Sequence, residues 1–163
     1  MSTAAPASPD RVRTVLRAAA VLAVVLALDQ LTKALVRGGI DIGEEDSILP
    51  GVTLVHVRNS GVAFGAFSGG GAIVVALVAA ALAALLFYFF THMDKRLVWL
   101  PTGMLLGGSI GNIVDRVRDG AVTDFVKLPA WPAFKVADVS ITFGVLVLLW
   151  VIEQQDAADR RAE

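Results

Sequence analysis

The sequence predicts an all-α membrane protein: four transmembrane helices with a small extracytoplasmic β-sheet. Three observations predict it. Of the 163 residues, 56% are hydrophobic and only 18% are charged, against roughly 45–50% and about 25% in an average soluble domain. The charges gather at the ends of long apolar runs, the pattern of a chain whose solvent is partly lipid. One polar connection alternates with the period of a strand.

The elements follow in order. Residues 1–12 begin with Ala, Ser, Pro and Thr and read as a disordered cytoplasmic tail. Arg11, Arg13 and Arg17 lead into the apolar run Ala18 to Leu28. A basic start before an apolar core is also the signature of a signal peptide. No small-x-small cleavage site follows, however; Asp29-Gln30-Leu31-Thr32-Lys33 comes next and apolar residues resume to Val36. The first span is therefore placed at 15–36.

Gly38 to Arg58 is polar and mixed, with acidic Asp41, Glu44, Glu45 and Asp46 at its start. From Val52 to Arg58, Thr53, Val55 and Val57 fall on one side and Leu54, His56 and Arg58 on the other, as in a half-buried strand. Asn59-Ser60-Gly61 is a turn signal. The second span, 72–91, carries no charge; about 20 residues at ~1.5 Å each cross a ~30 Å hydrocarbon core. His92 to Arg96 is a tight basic turn. The third span, 97–114, contains Pro101 and many glycines. A polar connection, 115–135, precedes the fourth span at 138–152, and 156–163 is a cytoplasmic tail. Residues 13–155 make one domain. Arg11, Arg13, Arg17, Lys95, Arg96, Arg160 and Arg161 share the cytoplasmic side if lysine and arginine set the topology. Both termini are then inside and the polar connections face outward.

Composition narrows the chemistry. There is no cysteine and there are only two histidines, His56 and His92, far apart in the chain. A disulfide, a thiol nucleophile and a multi-histidine metal site all lack their ligands. A formal net charge of -1 points to no nucleic-acid partner.

Several polar clusters remain. Asp29 and Lys33, spaced i and i+4, share a helix face and can pair, either to anchor the helix or to serve a site. Asn59 is a turn residue or a donor to a substrate backbone. Gly103, Gly107 and Gly111 recur every four residues, a stripe that lets another helix approach. Asn112, Asp115 and Arg116 lie within two turns at the outer end of the same span; they either cap and pair or hold a substrate. Gly120 to Val126 alternates as a short strand carrying Asp124, and Asp138 opens the fourth span. An acidic residue there matches the helix dipole. Both aspartates nevertheless leave polar connections on one membrane face. The loop between them, with Pro129, Trp131 and Pro132, is of a kind that sits at headgroup level.

Two carboxylates a few ångströms apart resist double ionisation and share a proton. The ionised member takes a proton from water and the protonated one donates to a carbonyl. Asp138, at a helix start, is expected to be the more readily ionised member and Asp124 the proton holder. Asn59, Asn112 and Arg116 can orient a substrate backbone.

Five motifs in order resemble the lipoprotein signal peptidase (signal peptidase II) family: Asp29-Gln30-x-Thr32-Lys33, Asn59-x-Gly61-x-Ala63-Phe64, Gly107-Gly108-x-x-Gly111-Asn112-x-x-Asp115-Arg116, Gly120-x-Val122-x-Asp124-Phe125 and Phe134-x-x-Ala137-Asp138. The resemblance runs from about Leu28 to Ile152. It implies an aspartyl endopeptidase of the bacterial cytoplasmic membrane that needs no cofactor. Its substrates are diacylglyceryl-modified prolipoproteins, cut before the lipidated cysteine. On that resemblance Asp124 and Asp138 are catalytic, and Asn59, Asn112 and Arg116 line the substrate site; Lys135 is expected to line it too, by its position. Asp29, Lys33, Gly108 and Asp115 support the fold. The implied partners are lipidated prolipoprotein signal peptides and membrane lipid, with the enzyme a monomer.

One position departs from the family. The residue after the Phe of the last motif is usually Asn, and here it is Lys135. Lysine accepts no hydrogen bond and brings a positive charge. It can favour the ionised dyad or occlude the site, and Lys135→Asn is then expected to be at least as active. A lipoprotein-binding paralogue without activity and a proton-coupled transporter are the alternative readings. The clustering of polar residues at one membrane face, with none across Ala72 to Thr91, speaks against a transport path.

Overall fold

The computed structural model describes residues 9–60 and 71–162, with side chains over 10–60 and 76–154. Residues 61–70, which include Gly61, Ala63 and Phe64 of the second motif, lie outside the described residues.

Four helices carry the structure: α1 (Pro9–Gly39), α2 (Gly71–Thr91), α3 (Trp99–Asp119) and α4 (Val136–Ala162). Three of them depart from the expected bounds. α1 begins at Pro9, inside the segment expected to be a tail, because a proline is pre-organised for a first helical turn and Asp10 suits its dipole. α3 runs past 114 to Asp119, so Asp115 and Arg116 are helical and not part of a connection. Gly120 ends it with φ 71° and an N–H bonded to Arg116 O, a left-handed cap that glycine takes without strain. α4 continues beyond 152, since Glu, Gln, Ala and Arg favour helix and no glycine or proline interrupts them.

α3 lies between α1 and α4. The small-residue stripe explains how closely. A Cβ on Gly103 would fall 2.6 Å from Ala18 O, and one on Gly107 2.8 Å from Val25 Cβ, so this face is pressed against α1. Gly108 turns to the other side, where a Cβ would meet Ala137 O of α4 at 2.8 Å. α2 packs more lightly on α3. The outer faces stay apolar: Leu16, Val24, Leu31 and Leu35 on α1, Leu77, Phe87 and Phe90 on α2, and Phe143, Leu146 and Leu149 on α4 are all exposed. Such a surface suits lipid. Among the described residues, Asp10–Gly39 and Val136–Gln154 are long and apolar enough to cross a membrane, and Ala76–Thr91 is a shorter apolar stretch.

A three-stranded antiparallel sheet, ordered β1 (Glu45–Leu49), β2 (Val52–Asn59) and β3 (Val122–Lys127), joins the helices at one end. β2 and β3 match the two alternating segments. β1 was not expected, because its acidic start masks it and it is exposed throughout as the edge strand. Pro50-Gly51 makes its turn, with Gly51 at φ 79°. After β3 the chain loops out through exposed Trp131 and returns. Phe134 N–H then donates to Val126 O at 2.9 Å, and Phe134 O accepts from Val126 N–H at 2.8 Å. That return pins the residues just before α4 against β3.

Candidate active site

Strand pairing sets the first half of the site. In the β2–β3 register Val57 faces Asp124 and Asn59 faces Val122. Residues two apart on a strand share a face, so Asn59 reaches Asp124 diagonally, and its Nδ2 donates to Asp124 Oδ2 at 2.9 Å. The Phe134–Val126 pairing sets the second half. It brings Lys135 alongside Asp124, and α4 begins at once with Asp138 in its first turn.

The two aspartates meet on Lys135. Its Nζ lies 2.6 Å from Asp124 Oδ1 and 2.9 Å from Asp138 Oδ2. The lysine and Asp124 are nearly sealed, whereas the Asp138 side chain is 40% exposed. Asp124 has both oxygens engaged, and Asp138 Oδ1 has no partner among the described residues. Burial opposes the charge on Lys135, but hydrogen bonds to Asp124 and Asp138 and their negative charges outweigh it, and the amine is held above its ordinary pKa. The cluster holds two carboxylates and one ammonium, net -1, the same as two aspartates sharing one proton.

Behind this site lies a buried ion network. Lys33 Nζ sits 2.6 Å from Asp29 Oδ2 and 2.7 Å from Asp115 Oδ2, with all three side chains buried. The i, i+4 pair on the first span thus forms, and it also ties α1 to α3. Asp29 Oδ1 accepts the backbone N–H of Ala137 at 2.9 Å, which ties it to α4 as well. Gln30 Nε2 donates to Asp115 Oδ1 at 3.0 Å and to Gly111 O at 3.2 Å. Arg37 lies 3.8 Å from Asp115 Oδ1 and 3.6 Å from Asp119 Oδ2, and its Nη1 reaches Thr123 Oγ1 at 3.5 Å.

Gln30 stands in the sequence only as a motif position, and Arg37 was not among the expected site residues. The spacing held a signal: Asp29, Lys33 and Arg37 recur every four residues, one face of one helix. Asn112 and Arg116 stay on α3, where Arg116 Nη1 donates to Asn112 O at 3.2 Å. Among the described residues no bond joins either of them to the two aspartates. Among the described residues, too, no three His, Cys, Asp or Glu side chains gather to hold a metal ion.

The profile of the family described as Signal peptidase (SPase) II matches residues 21–153. A lipoprotein signal peptidase of Halothermothrix orenii is 34% identical over 137 residues, covering 83% of this chain and 94% of its own. One from Moorella thermoacetica is 37% identical over 128 residues, covering 77% and 85%. In three dimensions the chain is similar, at a TM-score of 0.77 and 26% identity, to a bacterial membrane enzyme structure obtained by the in meso method, covering 86% of this chain and 90% of that one. With a family match over most of its length and relatives above a third identical, the chain belongs to the signal peptidase II family of aspartic-type membrane peptidases.

Proposed function

We propose that this protein removes the signal peptide from diacylglyceryl-modified prolipoproteins, cutting before the lipidated cysteine, with Asp124 and Asp138 as the catalytic pair. The convergence of Asp124 and Asp138 on one point carries this reading. Asp138, exposed and with one oxygen unengaged, is the base that takes a proton from water. Asp124, held by Asn59, completes the charge of the site. On this reading Asn112 and Arg116 hold the substrate segment, as the family motif implies.

On this reading the chain crosses the membrane four times and the site lies at the extracytoplasmic face, and the ends of the helices support that orientation. Thr14 Oγ1 donates to Met93 O at 3.3 Å, and Arg17 stacks over Trp99 at 5.8 Å. The N-terminal arginines and the basic 92–96 turn therefore share one end, which the positive-inside rule makes cytoplasmic. The sheet and the aspartates occupy the other. α3 has 21 residues, about 31 Å at ~1.5 Å each, so the two ends are a bilayer apart. The enzyme acts as a monomer on a lipidated substrate within the membrane.

The test is direct. Purified protein is incubated with a diacylglyceryl-modified prolipoprotein and with its unmodified form, beside Asp124→Asn and Asp138→Asn. Cleavage of the lipidated form by the parent alone is expected. Cleavage that survives either substitution removes the dyad, and an inactive parent that still binds the substrate makes this a binding paralogue.

A further inference from the structure

Lys135 stands where two catalytic aspartates need a proton between them. An ammonium has three donors. Two are engaged, with Asp124 at 2.6 Å and Asp138 at 2.9 Å, and the third has no partner among the described residues. The amine is enclosed, its side chain 6% exposed, and it meets the partly open carboxylate of Asp138. A surface lysine that had merely drifted into the site would keep its ammonium in water. This one is fixed from both sides: the Phe134 pairing with β3 sets its backbone, and the two carboxylates set its head.

We propose that the Lys135 ammonium takes the place of the proton shared by paired aspartates, and that its third N–H donates to the oxygen of the scissile carbonyl. The proposal rests on the peptidase reading above. Neither carboxylate then has to be protonated at the start. Asp138 Oδ1 accepts a proton from water as the water oxygen bonds to the carbonyl carbon. The carbonyl π pair moves onto oxygen, and the resulting oxyanion is held by the Lys135 N–H. Lysine keeps its proton throughout. The Asp138 carboxyl then passes the proton to the amide nitrogen while the C–N bond breaks and the oxyanion pair re-forms the carbonyl. One water is consumed, an acid and an amine are released, and Asp138 returns to carboxylate. Donors fixed in advance at a developing oxyanion are among the strongest catalytic effects. The high pKa of Lys135 suits this task, since the group has to stay charged and not give its proton away. Lysine is thus a working part of the site, and the expectation that Lys135→Asn is at least as active reverses.

The experiment is a pH profile of kcat on the lipidated prolipoprotein for the parent, Lys135→Asn and Lys135→Met, with thermal unfolding recorded for each. A pair that shares a proton loses activity once its second carboxyl ionises. A site that uses lysine stays active until the amine deprotonates, which for a lysine raised above its ordinary value lies beyond pH ~10. The parent is expected to hold its rate to that range. Lys135→Asn is expected to be slower at pH 8, with its alkaline limb at least about one pH unit lower. Lys135→Met is expected to lose roughly 100-fold or more at pH 8, the effect of removing one oxyanion donor. If Lys135→Met does not fold, the Lys135→Asn profile decides alone. A Lys135→Asn enzyme that equals or exceeds the parent at every pH, with the same alkaline limb, overturns the proposal and makes the lysine an obstruction. Asp124→Asn and Asp138→Asn, run in parallel, separate the two claims: their activity would defeat the dyad itself, whatever the lysine variants do.

Discussion

Asp29 Oδ1 accepts the backbone N–H of Ala137 at 2.9 Å, so a carboxylate in the first helix holds the residue next to Asp138. The other oxygen of Asp29 holds Lys33 at 2.6 Å. One buried side chain thus joins an ion pair to the start of the helix that carries a proposed catalytic group. Asp29→Leu strands the Ala137 donor in a buried site, a loss of about 1–3 kcal/mol, and takes from Lys33 one of its two carboxylates. Asp29→Asn keeps an acceptor for Ala137 and loses only the charge. The expected order of kcat is parent, Asn, then Leu, measured on the lipidated substrate. Equal rates for Asn and Leu would remove Ala137 from the account.

Lys33 bridges two buried carboxylates, Asp29 and Asp115. Removing one partner of a buried ionic group leaves an uncompensated charge, and the loss is about 3–5 kcal/mol. Lys33→Met is therefore expected to unfold at much lower temperature in detergent, in proportion well beyond any change at the exposed pair Arg13–Asp10. An unchanged melting curve would mean that the network contributes little.

Gly108 and Gly103 face different helices, and their substitutions are expected to differ in kind. A Cβ on Gly103 meets Ala18 O of α1 at 2.6 Å, whereas one on Gly108 meets Ala137 O of α4 at 2.8 Å. Overpacking costs about 1–3 kcal/mol, so both alanine variants lose stability. Gly108→Ala also displaces the first turn of α4 and with it Asp138. Its kcat is expected to fall more than that of Gly103→Ala at matched stability. Parallel losses in the two variants would show that the dyad tolerates a shifted helix.

Lys135 links stability to alkaline pH. Its pKa is raised in the folded protein from the ordinary 10.5. A raised amine contributes stability that is fully present below the unfolded value and is lost as pH climbs through the folded one. Relative to Lys135→Met, the parent is expected to keep a constant advantage up to about pH 10 and to lose it above. Thermal unfolding of both proteins from pH 6 to 11 reads this. A difference that already vanishes near pH 8 would contradict it.

Much of the site was legible because it lies in short local patterns. Asp29 and Lys33 pair through helix spacing alone, and the alternation of Val52 to Arg58 shows as β2. β1 was hidden, since an exposed edge strand has no buried face and so no alternation to display. The far end of α3 was hidden as well. Asp115 reads as the start of a polar connection until Lys33, Gln30 and Arg37 are seen to bury it.

By itself the sequence determined the family, the two aspartates, the apolar helices and the odd residue at 135, because each is written in composition, spacing or a contiguous motif. Only the tertiary structure decided what Lys135 touches. Its neighbours are brought together by a strand register, a returning loop and the start of α4. A charge that looks like an intruder three residues before Asp138 touches both aspartates once the chain is folded.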